Sequence, residues 1–160
     1  MESKVPVLIL IIINIFLDQA VKYYVHANMT VGQSIPIIKD IFHITYVLNP
    51  GAAFGILEHK RSFFVIIVFL MLAISYYAYR KINHMDNFLK LGMGLLIGGA
   101  IGNLIDRLKT GYVIDFIDFR AWPVFNIADI SIVVGVGIII YFMVFFPEKQ
   151  IDENKDGCNE

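Results

Sequence analysis

Residues 63–79 form an unbroken stretch of seventeen uncharged side chains, set between Lys60 and Arg61 at one end and Arg80 and Lys81 at the other. A helix rises 1.5 Å per residue and the hydrocarbon core of a bilayer is about 30 Å thick, so roughly 20 mostly apolar residues cross it. Three more stretches have this character. Residues 5–24 open with thirteen uncharged positions before Asp18 and Lys22. Residues 88–105 carry Gly94, Gly98 and Gly102 four apart, a stripe that suits close helix packing in lipid. Residues 123–146 begin at Pro123, a favourable first-turn residue because its missing N–H would have no partner there. These runs predict an all-α integral membrane protein with four transmembrane helices.

The remaining composition narrows the function classes. Of 160 residues 58% are hydrophobic and 17% charged, against roughly 25% charged in a soluble domain. Thirteen basic and fourteen acidic side chains leave a net charge of -1, so there is no bulk positive field for nucleic acid. The single cysteine, Cys158, excludes an internal disulfide and a cysteine-based zinc site, and His26, His43, His59 and His84 form no HExxH pair. No metal and no cofactor is expected. Residues 1–147 read as one membrane domain and 148–160 as a polar, disordered tail on the cytoplasmic side. The first run lacks a small-x-small cleavage site near Asp18 to Lys22 and reads as a retained anchor. In the first loop, residues 42–47 alternate as a short strand does and Asn49-Pro50-Gly51 reads as a turn, which predicts a small extracytoplasmic β-strand cap. Arg80, Lys81 and Lys90 crowd the second loop and favour cytoplasmic termini by local density, although loops one and three carry as many cations in total.

Charges inside a span cost at least about 2.5 to 3.5 kcal/mol each by insertion scales, so every one needs a reason. With four antiparallel spans, the ends holding Asp18, Asn103, Arg107, Asn126 and Asp129 all fall at the same membrane face as loops one and three. Asp18 and Lys22 stand at i, i+4 and read equally as a structural ion pair or as part of a site. Asp106 beside Arg107 reads as an interfacial pair, Asn49 as a turn former, and Asn126 as a cap or an interhelical hydrogen-bonding group. Asp129 has no cation within four residues on its own helix, so its partner comes from elsewhere in the bundle. A second carboxylate in loop three, Asp115 or Asp118, is the natural candidate, and spacing alone does not choose between them. Two such carboxyls cannot both ionise at close range and share a proton, the arrangement used to activate water in aspartic proteases. A proton-coupled transporter or channel subunit is the alternative, since intramembrane Asp, Asn and Arg also mark ion pathways.

Five ordered segments, Asp18-Gln19-Ala20-Val21-Lys22, Asn49-Pro50-Gly51-Ala52-Ala53-Phe54-Gly55, the run from Gly98 through Asn103 to Arg107, Val113-Ile114-Asp115-Phe116-Ile117 and Phe125-Asn126-Ile127-Ala128-Asp129, resemble the motif set of bacterial lipoprotein signal peptidases, or signal peptidase II. The resemblance implies a four-helix enzyme of the bacterial inner membrane. It implies removal of the signal peptide from diacylglyceryl-modified prolipoproteins, just before the lipidated cysteine, with membrane lipid around a monomer. It implies Asp115 and Asp129 as the catalytic pair, with Asn49, Asn103, Arg107 and Asn126 lining the site or orienting the pair. Asp18, Lys22, Gly51 and Ala128 fall at supporting positions. Val21 stands where the family commonly has Thr or Ser, and Ile130 where Ser is frequent; neither is a proposed catalytic group.

Overall fold

The computed structural model of the chain describes residues 5–51, 61–81 and 87–146. The polar tail with Cys158, residues 52–60 of the first loop including His59 and the end of the Asn-Pro-Gly segment, and His84 lie outside the described residues. The elements run α1 (Val5–Asn28), β1 (Ser34–Ile38), β2 (Phe42–Asn49), α2 (Arg61–Lys81), α3 (Asn87–Lys109), β3 (Val113–Asp118) and α4 (Ile127–Phe145). Among the described residues three helical segments are long and apolar enough to cross a membrane: Val7–Asn28, Asn87–Lys109 and Ile127–Phe145. The helix expected at 63–79 forms as α2.

α3 is the central helix. It is buried along most of its length, from Leu89 through Gly98 to Asp106, whereas α1 and α4 present side chains such as Phe16 and Val133 to the surroundings. What lets α3 take neighbours on two sides is the glycine stripe. A Cβ added at Gly94, Gly98 or Gly102 would lie 2.6–2.7 Å from Leu10, Asn14 or Asp18 of α1. Positions 10, 14 and 18 thus meet 94, 98 and 102 in constant register, two rows of period four in parallel helices, and Lys22 meets Asp106 one turn further on. On its other side α3 meets α4: a Cβ at Gly99 would collide with the Ala128 carbonyl oxygen.

Two expectations are corrected where the sheet meets the helices. The cap is not confined to the first loop, because β3, from between α3 and α4, completes an antiparallel sheet in the order β1-β2-β3, with Asn49 opposite Val113 and Val47 opposite Asp115. Pro123 does not open the fourth helix. Phe125 is held extended by hydrogen bonds with Ile117 (2.8 and 3.1 Å), and the helix starts only after Asn126, whose side chain accepts from the Asp129 N–H while the Asp129 carboxylate accepts from the Asn126 N–H, a reciprocal capping box. Val25 of α1, Tyr46 of β2 and Phe116 of β3 form the apolar cluster that seats the sheet on the bundle.

Gly135 and Gly137 of α4 separate packing from helix propensity. A Cβ at Gly135 would lie 2.6 Å from the Gly92 carbonyl oxygen and 2.7 Å from the Leu96 nitrogen, whereas Gly137 has nothing within 4 Å. Gly135→Val is expected to cost about 1–3 kcal/mol through overpacking. Gly137→Ala should be neutral or gain up to about 1 kcal/mol. Unfolding of the purified variants in detergent measures both.

Candidate active site

Most of the buried polar residues gather where the C-terminal ends of α1 and α3 meet β3 and the first turn of α4. Lys22 lies at the base with 2% of its surface exposed. Its ammonium is 2.8 Å from Asp18 Oδ2, 2.8 Å from Asp106 Oδ2 and 2.9 Å from Asn103 Oδ1, which uses its three protons. Each of the two carboxylates also ties down backbone. Asp18 Oδ1 accepts from the Ala128 N–H at 3.0 Å, locking α1 to the start of α4. Asp106 Oδ2 accepts from the Ile114 N–H at 3.3 Å, locking α3 to β3.

Above this ion cluster stand Asp115 and Asp129, linked through one residue. Asn126 donates its side-chain amide to Asp115 Oδ1 at 2.6 Å and its backbone N–H to Asp129 Oδ2 at 3.2 Å. Asn49 donates to Asp115 Oδ2 at 2.8 Å and Asn103 to Asp129 Oδ1 at 2.7 Å. The direction of these amides follows from their other ends. The Gly51 N–H holds Asn49 Oδ1, the Asp129 N–H holds Asn126 Oδ1, and the Lys22 ammonium holds Asn103 Oδ1. Groups that only donate occupy all three amide oxygens, so all three NH2 groups are left to face carboxylates.

Arg107 donates from Nη2 to the Gly51 carbonyl at 3.0 Å and lies over the Phe64 ring, 4.6 Å from its centroid, which anchors both the first loop and α2 to α3. The interfacial pair expected between Asp106 and Arg107 does not form; adjacent helical residues point apart, and Asp106 pairs with Lys22. Asp118 is separated from Asp115 by strand alternation, since residues three apart lie on opposite faces. Its carboxylate takes the Thr45 hydroxyl at 2.7 Å, the Arg120 N–H at 2.8 Å and the Arg120 guanidinium at 3.0 Å. Burial pushes the Asp118 carboxyl up, but those donors outweigh it and hold it below its ordinary range.

Two participants carry no expectation from the sequence. Gln19 donates to Asp106 Oδ1 at 2.8 Å and to the Gly102 carbonyl at 3.2 Å. Asn14, buried one turn deeper than Asp18, donates to the Leu95 carbonyl at 3.1 Å and accepts from Ser131 at 2.9 Å. The pointer to each was a polar residue in an apolar span, on or beside the row that faces α3. Among the described residues no group of three or more His, Cys, Asp or Glu is placed to share a metal ion.

The geometry has counterparts. Residues 10–145 match the family model described as signal peptidase (SPase) II. The chain belongs to the signal peptidase II family. It is 50% identical over 137 residues to the lipoprotein signal peptidase of Halothermothrix orenii, covering 86% of this chain and 94% of that one. With the lipoprotein signal peptidase of Moorella thermoacetica it shares 46% over 145 residues, 91% and 96% of the two chains. A bacterial membrane enzyme solved by the in meso method at 2.3 Å superposes with a TM-score of 0.86 at 35% identity, covering 92% of each chain. A second, at 1.9 Å, gives 0.82 at 36%, covering 89% of this chain and 95% of that one. As a signal peptidase II the protein is a membrane peptidase, a hydrolase, which decides against the transporter alternative.

The Asp115 carboxyl is pushed up to about 7, first by burial and then by the charge of Asp129, against the pull of Asn49, Asn126 and the Lys22 cation. The folded protein therefore keeps a proton there that the unfolded chain releases near an ordinary carboxyl value, and this group's contribution to stability falls as pH rises from about 4 to about 7. Asp115→Asn removes that titration. Its stability is expected to change less steeply with pH across this window than that of the wild type, as measured by thermal unfolding in detergent.

Proposed function

We propose that Asp115 and Asp129 are the catalytic pair of an aspartic endopeptidase that removes the signal peptide from diacylglyceryl-modified prolipoproteins, cutting before the lipidated cysteine. The observation that carries this reading is the double engagement of Asn126, whose two N–H groups hold one oxygen of each carboxylate. Two carboxyls fixed so near one another share a proton in preference to both ionising. With a water between them, the charged member removes a proton from that water as it attacks the peptide carbonyl carbon, and the protonated member donates to the carbonyl oxygen. Collapse of the tetrahedral species expels the amine, which leaves with the proton the pair took from the water, while one of the two hydroxyls of the tetrahedral carbon gives its proton back, so the pair ends with its single shared proton. No covalent intermediate is formed. Arg107, with guanidinium N–H groups beyond the one given to Gly51, orients substrate backbone, and Asn49 and Asn103 hold the outer edges of the pair.

The substrate's position follows from its lipid. Each CH2 buried in the bilayer is worth about 0.8 kcal/mol, so the acylated cysteine stays in the membrane and is cut at its surface. An apolar cavity of about 640 Å³ between α2, α3 and α4, lined by residues including Ile67, Met71, Met93 and Met143, receives part of the signal-peptide helix. In this reading α2 is the fourth span and the sheet covers the extracytoplasmic face of the bacterial inner membrane. The termini are cytoplasmic, with residues 148–160 as a tail of the single domain 1–147. The enzyme works as a monomer, the first loop closes over the substrate, and no metal or other cofactor takes part.

Cleavage of a diacylglyceryl-modified precursor, followed by gel shift, tests the pair. Asp115→Asn and Asp129→Asn should each lose at least about 10³-fold in rate, the upper part of what acid–base groups supply. Asp118→Asn, tied to Thr45 and Arg120 on the other face of β3, should stay within a few-fold of wild type. Full cleavage by either of the first two variants removes the pair from the mechanism.

A further inference from the structure

The ion cluster under the catalytic pair contains more than charge balance requires. One ammonium stands between two carboxylates, so Asp18 and Asp106 already pair Lys22 fully; its third proton goes to a neutral acceptor, Asn103 Oδ1. A carboxamide turned by 180° about its terminal bond occupies almost the same volume, so packing alone does not choose between its oxygen and its NH2. For Asn103 that choice decides what Asp129 faces. With Oδ1 turned toward Lys22, the NH2 meets Asp129 Oδ1 at 2.7 Å; turned over, an amide oxygen would be set against the carboxylate and an NH2 against the ammonium.

We propose that Lys22 is a positioning residue for peptide hydrolysis: its ammonium orients the Asn103 amide so that an N–H donor, and not a carbonyl oxygen, meets Asp129. The other holder of Asn103 Oδ1, the Asn126 amide at 3.2 Å, is longer and already engaged with Asp115 at 2.6 Å. Lys22 is therefore the dominant hold on that oxygen. The parallel register of α1 and α3 delivers it, since the row of 10, 14 and 18 against 94, 98 and 102 brings residue 22 beside Asp106, and Asn103 lies three residues before Asp106 on α3. This inference rests on the assignment of Asp115 and Asp129 as the catalytic pair.

The test compares wild type, Lys22→Met and the pair Lys22→Met with Asp106→Asn, which keeps the net charge of the cluster, all on the diacylglyceryl-modified precursor. For both variants kcat should fall about 10²-fold, as for a misplaced reacting group, while KM stays within about threefold. The groups that face this centre are Asp18 and Gln19 from α1, Tyr46 and Asn49 from β2, Asn103, Asp106 and Arg107 from α3, Asp115 from β3, and Asn126 and Asp129 from α4. Of these influences, the Lys22 cation helps hold the Asp115 carboxyl down, so in Lys22→Met the alkaline limb of the pH–rate profile should move to higher pH. A purely structural Lys22 would lower the yield of folded enzyme and leave kcat and the limb of the folded fraction unchanged. That result overturns the proposal. So does recovery of kcat to within about threefold of wild type in the double variant, since the net charge of the cluster alone would then suffice. Full cleavage by Asp115→Asn or Asp129→Asn, with Lys22 in place, overturns the underlying assignment separately, whatever Lys22 does.

Discussion

The close approach of α1 to α3 is the constraint on which the rest of this protein depends. Between two helices in lipid there is little hydrophobic driving force, and association comes from packing and interhelical hydrogen bonds. Here Gly94, Gly98 and Gly102 leave room for Leu10, Asn14 and Asp18, with nothing to spare for a methyl group. Only at that separation does Lys22 reach Asp106 and Asn103 while keeping Asp18. The apolar half of the row supplies contact and the polar half supplies the ion cluster, so one packing register serves both stability and chemistry.

From this base the site is built by delegation. Few side chains are held only by neighbours on their own element: Asp18 reaches the first turn of α4, Asp106 the start of β3, Asn49 reaches Asp115 across a strand pair, and Arg107 reaches the first loop. A lipid-embedded bundle offers no water to hydrate a buried charge, so each polar group is retained only where another element satisfies it. The result is a nearly saturated network: among the described residues the one buried side-chain polar atom without a hydrogen-bond partner, His43 Nε2, lies outside it.

Much of this was legible in the chain. The helices were, because long uncharged runs have few other solutions, and so was the glycine stripe, whose spacing names the packed face. β3 was not: Val113-Ile114-Asp115-Phe116-Ile117-Asp118 places two carboxylates among six residues, which reads as a solvated loop until α1 and α3 are known to lie against it. Missing the strand also hid the one local rule that separates Asp115 from Asp118, the alternation of faces. The start of α4 was misplaced because Pro123 is a favourable opener in isolation, while the extended pairing of Phe125 with Ile117 is a long-range fact. The partner of Asp106 was out of reach for the same reason, lying on another helix.

The capping box of α4 joins two things that are usually independent. The first turn of a helix is where its backbone opens most readily, since its N–H groups have no partners within the helix. In this protein the atoms that close that turn, the Asn126 amide and N–H and the Asp129 carboxylate, are also those that hold the two acidic side chains together. Fraying of α4 and disassembly of the site are therefore one event. With Asn126 and Ala128 fully buried and Asp18 holding the Ala128 N–H, the resistance of that single turn to local opening sets the fraction of time in which the site is assembled.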